Sequence, residues 1–390
     1  MSSGEDAPSN VLLNQPIVID NGTSSIKAGF AGGSKPKVVV GTKVGRVKHQ
    51  RIMPGGALEE DEATGGLFVG KKLDEHRGAF YLDYPMENGC VVDTPECWMG
   101  MERLWEHVYG KENLNAKVDE HPVLITEAPL NPRRNREHIA EIFFETFRAP
   151  AVFFAPQAVL SLYASGRTTG VAIDVGEGLT HVVPVYEGFA LPHSIVRSDI
   201  GGRDVSNHLQ LLLRRSGLTF RTSAEADMVK TMKEEVCYVS SEPNQEEGGP
   251  TPAQYQLPDG QVVTLGSERH RAPEVLFSPN MIGSEEIGVT EALLNSVMKS
   301  DLDFRSTLFE QVVLAGGSTL LPGFGDRFLH DIRQRAPAHT RIRIFSPPER
   351  INSAWIGGSI LASLATFKNM WVSRAGYEEN GASLLHRKAL

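Results

Sequence analysis

The chain has 390 residues, of which 41% are hydrophobic and 22% are charged, so it is long enough for two domains and apolar enough for most of it to fold. Its formal net charge is -9 without a strong Lys/Arg cluster, which argues against nucleic acid as a partner, and its three cysteines lack the CxxC spacing of a zinc site. The sequence shows neither a secretion-signal pattern nor an apolar run of about 18 residues, so we expect a cytosolic protein without a transmembrane segment.

The elements predicted in the first half of the chain begin with a β-hairpin, Ile17–Phe30, in which an apolar strand ending in Asp passes through an Asn-Gly turn into a second strand. Pro54–Gly66 is rich in glycine and acidic residues and is predicted to be an exposed loop. A strand-like run, Val123–Thr126, a helical pattern, Asn135–Phe147, and another strand-like run, Ala151–Phe154, follow. This alternation indicates α/β architecture.

The second half repeats the hairpin pattern in Val171–Val185, which again has an apolar strand ending in Asp, a turn with glycine and a second strand. Ser240–Ala253 is predicted to be another exposed loop. Val312–Gly317 is an apolar strand that runs into paired glycines, and a helix is predicted to begin at Ser318. We expect a base or ribose to lie against these glycines, although such a segment alone is more often an ordinary strand-to-helix turn.

The two hairpin turns are suited to binding phosphate. A tight glycine-rich turn directs backbone N–H groups to its concave side, where they attract phosphate oxygens. One such turn would be an ordinary hairpin, but two matched turns, one in each half, suggest duplicated lobes that face each other. The expected donors are Gly22, Thr23, Ser24, Ser25 and Lys27 in the first turn, and Gly176 and Gly178 in the second.

Two aspartates end the first strands of these hairpins, Asp20 and Asp174. Carboxylate oxygens are suitable ligands for Mg²⁺, which usually keeps several waters and takes only one or two carboxylates. The sequence therefore predicts a magnesium ion held by Asp20 and Asp174 through water.

Together, the three segments resemble the phosphate and adenosine loops of the superfamily that contains actin, the chaperone ATPases and the sugar kinases. Longer strings are similar to actin itself, from about Gln15 to Lys388: His121–Phe147, Gln157–Gly170, Tyr186–Ile195 and Trp355–Phe367. Shorter strings are more similar to the centractin branch of the actin family: those near Met53 and at Glu75–Gly78, Arg271–Phe277 and Lys299–Arg305. The resemblance implies an actin-like ATPase fold, with two lobes of duplicated ribonuclease-H-like topology around a nucleotide cleft.

The resemblance also implies four subdomains. The base of the small lobe would comprise residues 1–41, 85–164 and 353–390, and its tip, with a mobile loop, residues 42–84. The base of the large lobe would comprise residues 165–200 and 286–352, and its tip residues 201–285.

By matching motifs, the resemblance implies that the site binds ATP or ADP with Mg²⁺. The second phosphate loop would be Gly176, Glu177, Gly178 and Leu179, and the residues around the adenosine would be Gly202, Lys233, Glu234, Gly316, Gly317, Ser318 and Leu320. Gln157 and His181 would position the water that attacks the γ-phosphate. Without the resemblance, Gln157 would be interpreted as a solvated helix start and His181 as a satisfied strand histidine.

Several positions depart from the actin pattern. Val175 replaces a serine and Glu177 an aspartate in the second loop, Ser24 replaces a glycine in the first, and Asn88 replaces a histidine. Ile351 and Asn352 replace the Lys-Tyr pair beside the base. Because losing one neutral hydrogen bond costs about 0.5–1.5 kcal/mol, we expect nucleotide binding to survive and ATP hydrolysis to be slow at most.

The resemblance implies a cytoskeletal protein that assembles head to tail with itself and related actin-like subunits. The centractin branch forms the short filament of dynactin, so the implied partners are dynactin subunits and the dynein adaptor machinery, in the cytoplasm and at microtubules or centrosomes. A conventional-actin-like filament protein is an alternative. A sugar-kinase-type phosphotransferase is less favoured because no motif offers a catalytic carboxylate, and a chaperone ATPase would need a further substrate domain.

Overall fold

The structure is a computed structural model that describes residues 14–48, 66–241, 252–258, 260–337 and 339–388. Two compact units divide these residues: unit 1 comprises the chain up to Gly166 and again from Asn352, and unit 2 comprises Arg167–Ile351. The predicted loops 54–66 and 240–253 lie almost entirely outside the described residues, and the division into four subdomains stays a prediction. Among the described helices, none has the length and apolar character needed to cross a membrane.

The strands, numbered along the chain, are β1 (Ile17–Asn21), β2 (Ser25–Phe30), β3 (Val38–Gly41), β4 (Val44–Val47), β5 (Leu67–Phe68), β6 (Phe80–Asp83), β7 (Met86–Glu87), β8 (Cys90–Val91), β9 (Val123–Glu127), β10 (Ala151–Pro156), β11 (Gly170–Val175), β12 (Thr180–Tyr186), β13 (Phe189–Ala190), β14 (Val196–Ser198), β15 (Ala253–Gln256), β16 (Val262–Leu265), β17 (Val312–Ala315), β18 (Ile344–Phe345) and β19 (Val372–Ser373).

The α-helices are α1 (Lys71–Glu75), α2 (Pro95–Tyr109), α3 (Arg133–Glu141), α4 (Gln157–Ala164), α5 (Gly202–Arg215), α6 (Ser223–Val236), α7 (Glu268–Arg271), α8 (Val289–Lys299), α9 (Leu302–Glu310), α10 (Phe324–Arg335), α11 (Ser353–Ser363), α12 (Arg374–Asn380) and α13 (Ser383–Lys388). The helix predicted over Asn135–Phe147 is α3 followed by a π-helical segment, Ile142–Thr146. Residues 94–100 form the start of α2, where the Thr94 side chain accepts a hydrogen bond from the Cys97 amide.

The central sheets of the two units have the same strand order. In unit 1, the order β10-β9-β1-β2-β3 continues to β19 at the β10 edge. In unit 2, the order is β18-β17-β11-β12-β13, with β14 also paired to β12. In each unit the first three strands are antiparallel and the next two are parallel to the first. The α/β class and the duplicated topology predicted from the hairpin repeat are therefore confirmed.

The strands that form the middle of each sheet are buried along their whole length, as expected where helices cover both faces. β1, β9 and β10 in unit 1 and β11 and β17 in unit 2 consist almost entirely of buried residues. The polar residues at the carboxyl ends of these strands are thus held on a rigid scaffold, and the site described below is built there.

Helices α4 and α11 pack so closely that glycine is required between them. A Cβ atom at Gly357 would overlap the Leu160 carbonyl oxygen. On the same helix, Trp355 is fully buried and its indole N–H donates to the Val18 carbonyl at 3.1 Å. The carboxyl-terminal part of the chain therefore completes the core of unit 1.

This packing generates a stability prediction. Gly357→Ala should lower the free energy of unfolding by about 2 kcal/mol, because the added methyl group forces apart backbone that cannot relax locally. The measurement is the melting temperature at a fixed scan rate. The matched control is Gly325→Ala in α10, where an added Cβ meets no atom within 4 Å and should be neutral or slightly stabilising. Equal melting temperatures for both variants would contradict the prediction.

Candidate functional site

The turn of the first hairpin is closed by backbone and requires glycine. The Gly22 amide donates to the Ser25 carbonyl at 3.2 Å, and a Cβ atom at Gly22 would lie 2.8 Å from that same oxygen. Ser24, which replaces a glycine of the actin pattern, does not have a positive φ. Its backbone therefore avoids the conformation that only glycine adopts at little cost.

The carbonyl oxygens of this turn accept hydrogen bonds from other parts of unit 1. The Asn21 carbonyl accepts from Gln157 Nε2 at 3.1 Å. The Gly22 carbonyl accepts from the Thr42 hydroxyl at 2.7 Å, and the Ser24 carbonyl accepts from the Thr42 amide at 3.0 Å. Because these oxygens bind protein donors, the turn does not present them to an anion.

Asp20 is nearly fully buried at the end of β1 and has several polar partners. Its Oδ1 atom accepts from the Thr126 hydroxyl at 2.6 Å and from Gln157 Nε2 at 3.1 Å, and its Oδ2 atom lies 3.4 Å from Lys27 Nζ. Lys27 is the residue opposite Asp20 in the hairpin register. The structure thus brings the predicted residues Asp20, Lys27 and Gln157 together beside the first turn.

The second hairpin repeats this geometry. The Gly176 amide donates to the Leu179 carbonyl at 2.9 Å, and Asp174 lies opposite His181 as Asp20 lies opposite Lys27. The Gly176 carbonyl accepts from the Ser318 hydroxyl at 2.8 Å and from the Gly202 amide at 2.9 Å. The Glu177 carbonyl also accepts from the first turn of α5, at the Arg203 amide, so here too the carbonyls are held by protein donors.

Glu177 joins the second turn to α6. Its carboxylate lies 3.3 Å from Lys233 Nζ and 3.7 Å from Lys230 Nζ. Burial favours the neutral carboxyl group, but the two lysine charges outweigh this effect and lower the pKa of Glu177. Gly202 lies among these groups: a Cβ atom there would be 2.6 Å from Glu177 Oε2 and 2.7 Å from the Ser318 hydroxyl.

The paired glycines after β17 lie beside the strand end of the second hairpin. Gly316 has φ +86°, and a Cβ atom there would meet the Asp174 carboxylate and the Val175 carbonyl. Its missing side chain therefore makes room for the neighbouring strand end. Gly317 is exposed and lies beside Ile351.

His181 is buried with a relative exposure of 2%, and neither ring nitrogen has a hydrogen-bond partner among the described residues. Burial, reinforced by the charge of Arg197, lowers the pKa of His181 to about 3. The imidazole is therefore neutral near pH 7. A buried polar ring without a partner is costly, which is consistent with a role for its nitrogens in holding a water.

The other predicted residues fall around these two turns. Thr23 accepts from the Gly89 amide at 3.0 Å, in a tight turn where Asn88 has φ 45°, a conformation that asparagine tolerates well. Glu234 and Leu320 are exposed. Gly178 and Leu179 are buried in the second turn.

Sequence reasoning missed four residues that hold the turns: Thr42, Thr126, Gly201 and Lys230. Thr42 and Thr126 follow or end apolar runs without any motif of their own. Gly201 precedes α5, and a Cβ atom there would lie 2.6 Å from the Glu177 carbonyl. The glycine pair at 201 and 202 could have indicated a close approach of backbone in this region, whereas nothing in the sequence around the two threonines indicated their contacts with the turns.

The donor set fits a magnesium ion that takes most of its ligands from water and phosphate. Across the described ranges, no three His, Cys, Asp or Glu side chains group together in a way that could hold a metal ion. Magnesium does not require such a group, since it is usually bound by one or two carboxylates, waters and phosphate oxygens. Asp20 in unit 1 and Asp174 in unit 2 are each a strand-end carboxylate of this kind.

Comparison with known proteins identifies the family. The Actin family model matches residues 12–390. This chain belongs to the actin family. An "Actin-like protein" of Neurospora crassa is 50% identical to it over 386 residues, covering 97% of this chain and 98% of that protein. The expected actin-like ATPase fold is thereby confirmed, and this actin-family protein is an actin-related protein of the cytoskeletal type.

The burial of His181 generates a pH prediction. In the unfolded chain this histidine takes up a proton below about pH 6.5, but in the folded actin-family protein it stays neutral to much lower pH. Its contribution to stability is therefore complete above pH 6.5 and declines as the pH falls from there toward 3. Between pH 7.5 and 5.5 the loss should be about 1 kcal/mol.

The measurement is urea unfolding of the wild type and of His181→Gln at both pH values. The wild type should lose more stability than the variant over this interval, by the stated amount. His76→Gln, at an exposed histidine, is the control and should follow the wild type. A His181→Gln variant with the same pH dependence as the wild type would show that His181 is not buried in its neutral form.

Proposed function

We propose that this chain binds ATP or ADP with Mg²⁺ through the turns of its two hairpins. The supporting observation is that the two turns share two hydrogen bonds. In each turn the first glycine, Gly22 or Gly176, donates its amide to the residue three positions later, and its carbonyl accepts a hydrogen bond from a side-chain hydroxyl. The proposed phosphate-binding residues are those assigned above, from Gly22 to Lys27 and from Gly176 to Leu179. Members of the actin family typically bind a nucleotide with a divalent cation.

The adenosine would be bound in unit 2 by the residues near the Glu177 and Lys233 pair. Gly202 lies against this pair and against the Ser318 hydroxyl, and Lys233 donates to the Gly202 carbonyl at 2.8 Å. Glu234, Gly316, Gly317 and Leu320 belong to the proposed set on the basis of the motif alone. Asp20 and Asp174 would hold Mg²⁺ through water.

ATP turnover is proposed to be slow. Gln157 and His181 are the residues proposed to position the attacking water, because an amide and a neutral imidazole can both orient it while backbone donors and Mg²⁺ stabilise the developing charge. Val175 is fully buried and has no hydroxyl to offer. Its replacement of serine therefore favours nucleotide binding over rapid hydrolysis.

We further propose that this actin-related protein assembles head to tail into a short filament, and that the filament is the centractin filament of dynactin, which supports dynein-driven transport on microtubules in the cytoplasm. The supporting features are the strings at Glu75–Gly78, Arg271–Phe277 and Lys299–Arg305, which are more similar to centractin than to conventional actin. Contacts of this heterologous kind produce open filaments unless another protein caps them. A conventional-actin-like filament is the second candidate.

Asp174→Ala tests the nucleotide site. If this carboxylate holds the metal through water, the variant should lose most of the Mg²⁺-dependent rise in melting temperature that ATP gives the wild type, because a ligand stabilises the folded state in proportion to its affinity. Asp303→Asn, at an exposed position in α9, is the control and should keep the full rise. Full protection of Asp174→Ala by MgATP would remove this residue from the site.

Electron microscopy tests assembly. Purified protein incubated with MgATP should form short filaments in negative stain above a threshold concentration, and far fewer with nucleotide removed. The threshold should be independent of added sugars. Monomers at every concentration, together with ATP turnover stimulated by a sugar, would favour a phosphotransferase instead.

A further inference from the structure

Thr42 occupies a buried position between two sheets of unit 1. It follows β3 of the central sheet and precedes β4, which pairs with β5 and β6 in a separate three-stranded sheet. Its relative exposure is 1%. The hydroxyl donates to the Gly22 carbonyl at 2.7 Å, and the amide donates to the Ser24 carbonyl at 3.0 Å.

Ser318 makes the corresponding contact in unit 2. It lies in the 3₁₀ helix Gly317–Leu320, and its hydroxyl donates to the Gly176 carbonyl at 2.8 Å. Gly22 and Gly176 are equivalent residues, since each follows the strand-end aspartate by two positions and donates its amide to the residue three further on. In each unit, a segment distant in sequence from the turn thus donates a hydroxyl hydrogen bond to the first glycine carbonyl of that turn, and the two segments are unrelated to each other.

The orientation of that peptide group decides what the turn offers to a ligand. If the Gly22 or Gly176 carbonyl rotated toward the concave side of the turn, its oxygen would repel a phosphate and the following amide would point away. Such a rotation changes ψ of the glycine, an angle that is little restricted in a residue without a Cβ atom. A hydroxyl that binds the oxygen from behind opposes the rotation.

We propose that Thr42 and Ser318 are paired positioning residues that orient the two turns for the β- and γ-phosphates of the bound nucleotide. For Ser318 this role is added to the adenosine contact proposed above. The inference rests on the proposed nucleotide binding and assigns to the Thr42 hydroxyl no contact with the nucleotide. Removing either hydroxyl weakens the recognition of phosphates, and removing that of Thr42 leaves the recognition of adenosine intact.

The test compares ligands that differ only in their phosphates. Affinities of the full chain for MgATP, MgADP and adenosine are measured by competition for the wild type, Thr42→Val and Ser318→Ala. Valine preserves the shape of threonine and leaves the Thr42 amide bond in place. Each variant should bind MgATP and MgADP roughly 3- to 10-fold more weakly, as expected for one lost hydrogen bond. Thr42→Val should bind adenosine with unchanged affinity, and Ser318→Ala should lose less affinity for adenosine than for MgATP.

Thr42→Ser is the conservative control, because it keeps the hydroxyl and should restore wild-type affinity for MgATP. A purely structural role would instead weaken all three ligands together. This inference is overturned if the variants lose as much affinity for adenosine as for MgATP, or if Thr42→Val and Ser318→Ala both bind MgATP with wild-type affinity. Either result leaves the proposed function standing. A wild type that binds none of the three ligands would overturn both. If Thr42→Val does not fold, Ser318→Ala decides by the same comparison.

Discussion

A backbone turn attracts an anion only when its own carbonyl oxygens are bound elsewhere, and this requirement organises both halves of the molecule. In unit 1 the acceptors of the first turn are bound by Thr42 and Gln157. In unit 2 the second turn is bound by Ser318 and by the amides at the start of α5. These donors come from segments far apart in the sequence, so each turn depends on the complete fold of its own unit. The same dependence explains why glycines occur wherever a second backbone approaches a turn.

The two units satisfy this requirement with different side chains on the same topology. Opposite the strand-end aspartate, unit 1 has Lys27 and unit 2 has His181. Asp20 accepts a hydrogen bond from Thr126, whereas Asp174 is paired in the sheet with Ala315 and lies against Gly316. The first aspartate therefore has a cation and a hydroxyl beside it. The duplicated scaffold thus carries different residue types opposite the strand-end aspartate in its two units.

Much of this architecture was predictable because its signals are local. The hairpins, the strand-end aspartates and the turn glycines follow from patterns within about fifteen residues, and the structure places them as expected. Two kinds of feature were not predictable from the sequence. The reason for glycine at Gly316 lies in a neighbouring strand, and the hydroxyls of Thr42 and Ser318 act on residues 20 and 142 positions away. Interactions of that range leave no periodicity or spacing in the sequence. The π-helical end of α3 is similar, because its pattern does not differ from that of an ordinary helix.

The close packing of α11 on α4 has a consequence for the order in which the chain is made. Unit 2 is continuous in sequence, but unit 1 needs α11 and β19, which are translated after the whole of unit 2. Until then, the helix α4 in the nascent chain is not covered by α11, where Gly357 packs against it. The edge of β10 is not yet paired with β19, and the Val18 carbonyl has not yet received the hydrogen bond from the Trp355 indole. Open strand edges and uncovered apolar helices favour aggregation. Unit 1 is therefore completed only after the whole of unit 2 has been translated, and in the meantime the growing polypeptide depends on its cellular surroundings to stay dispersed.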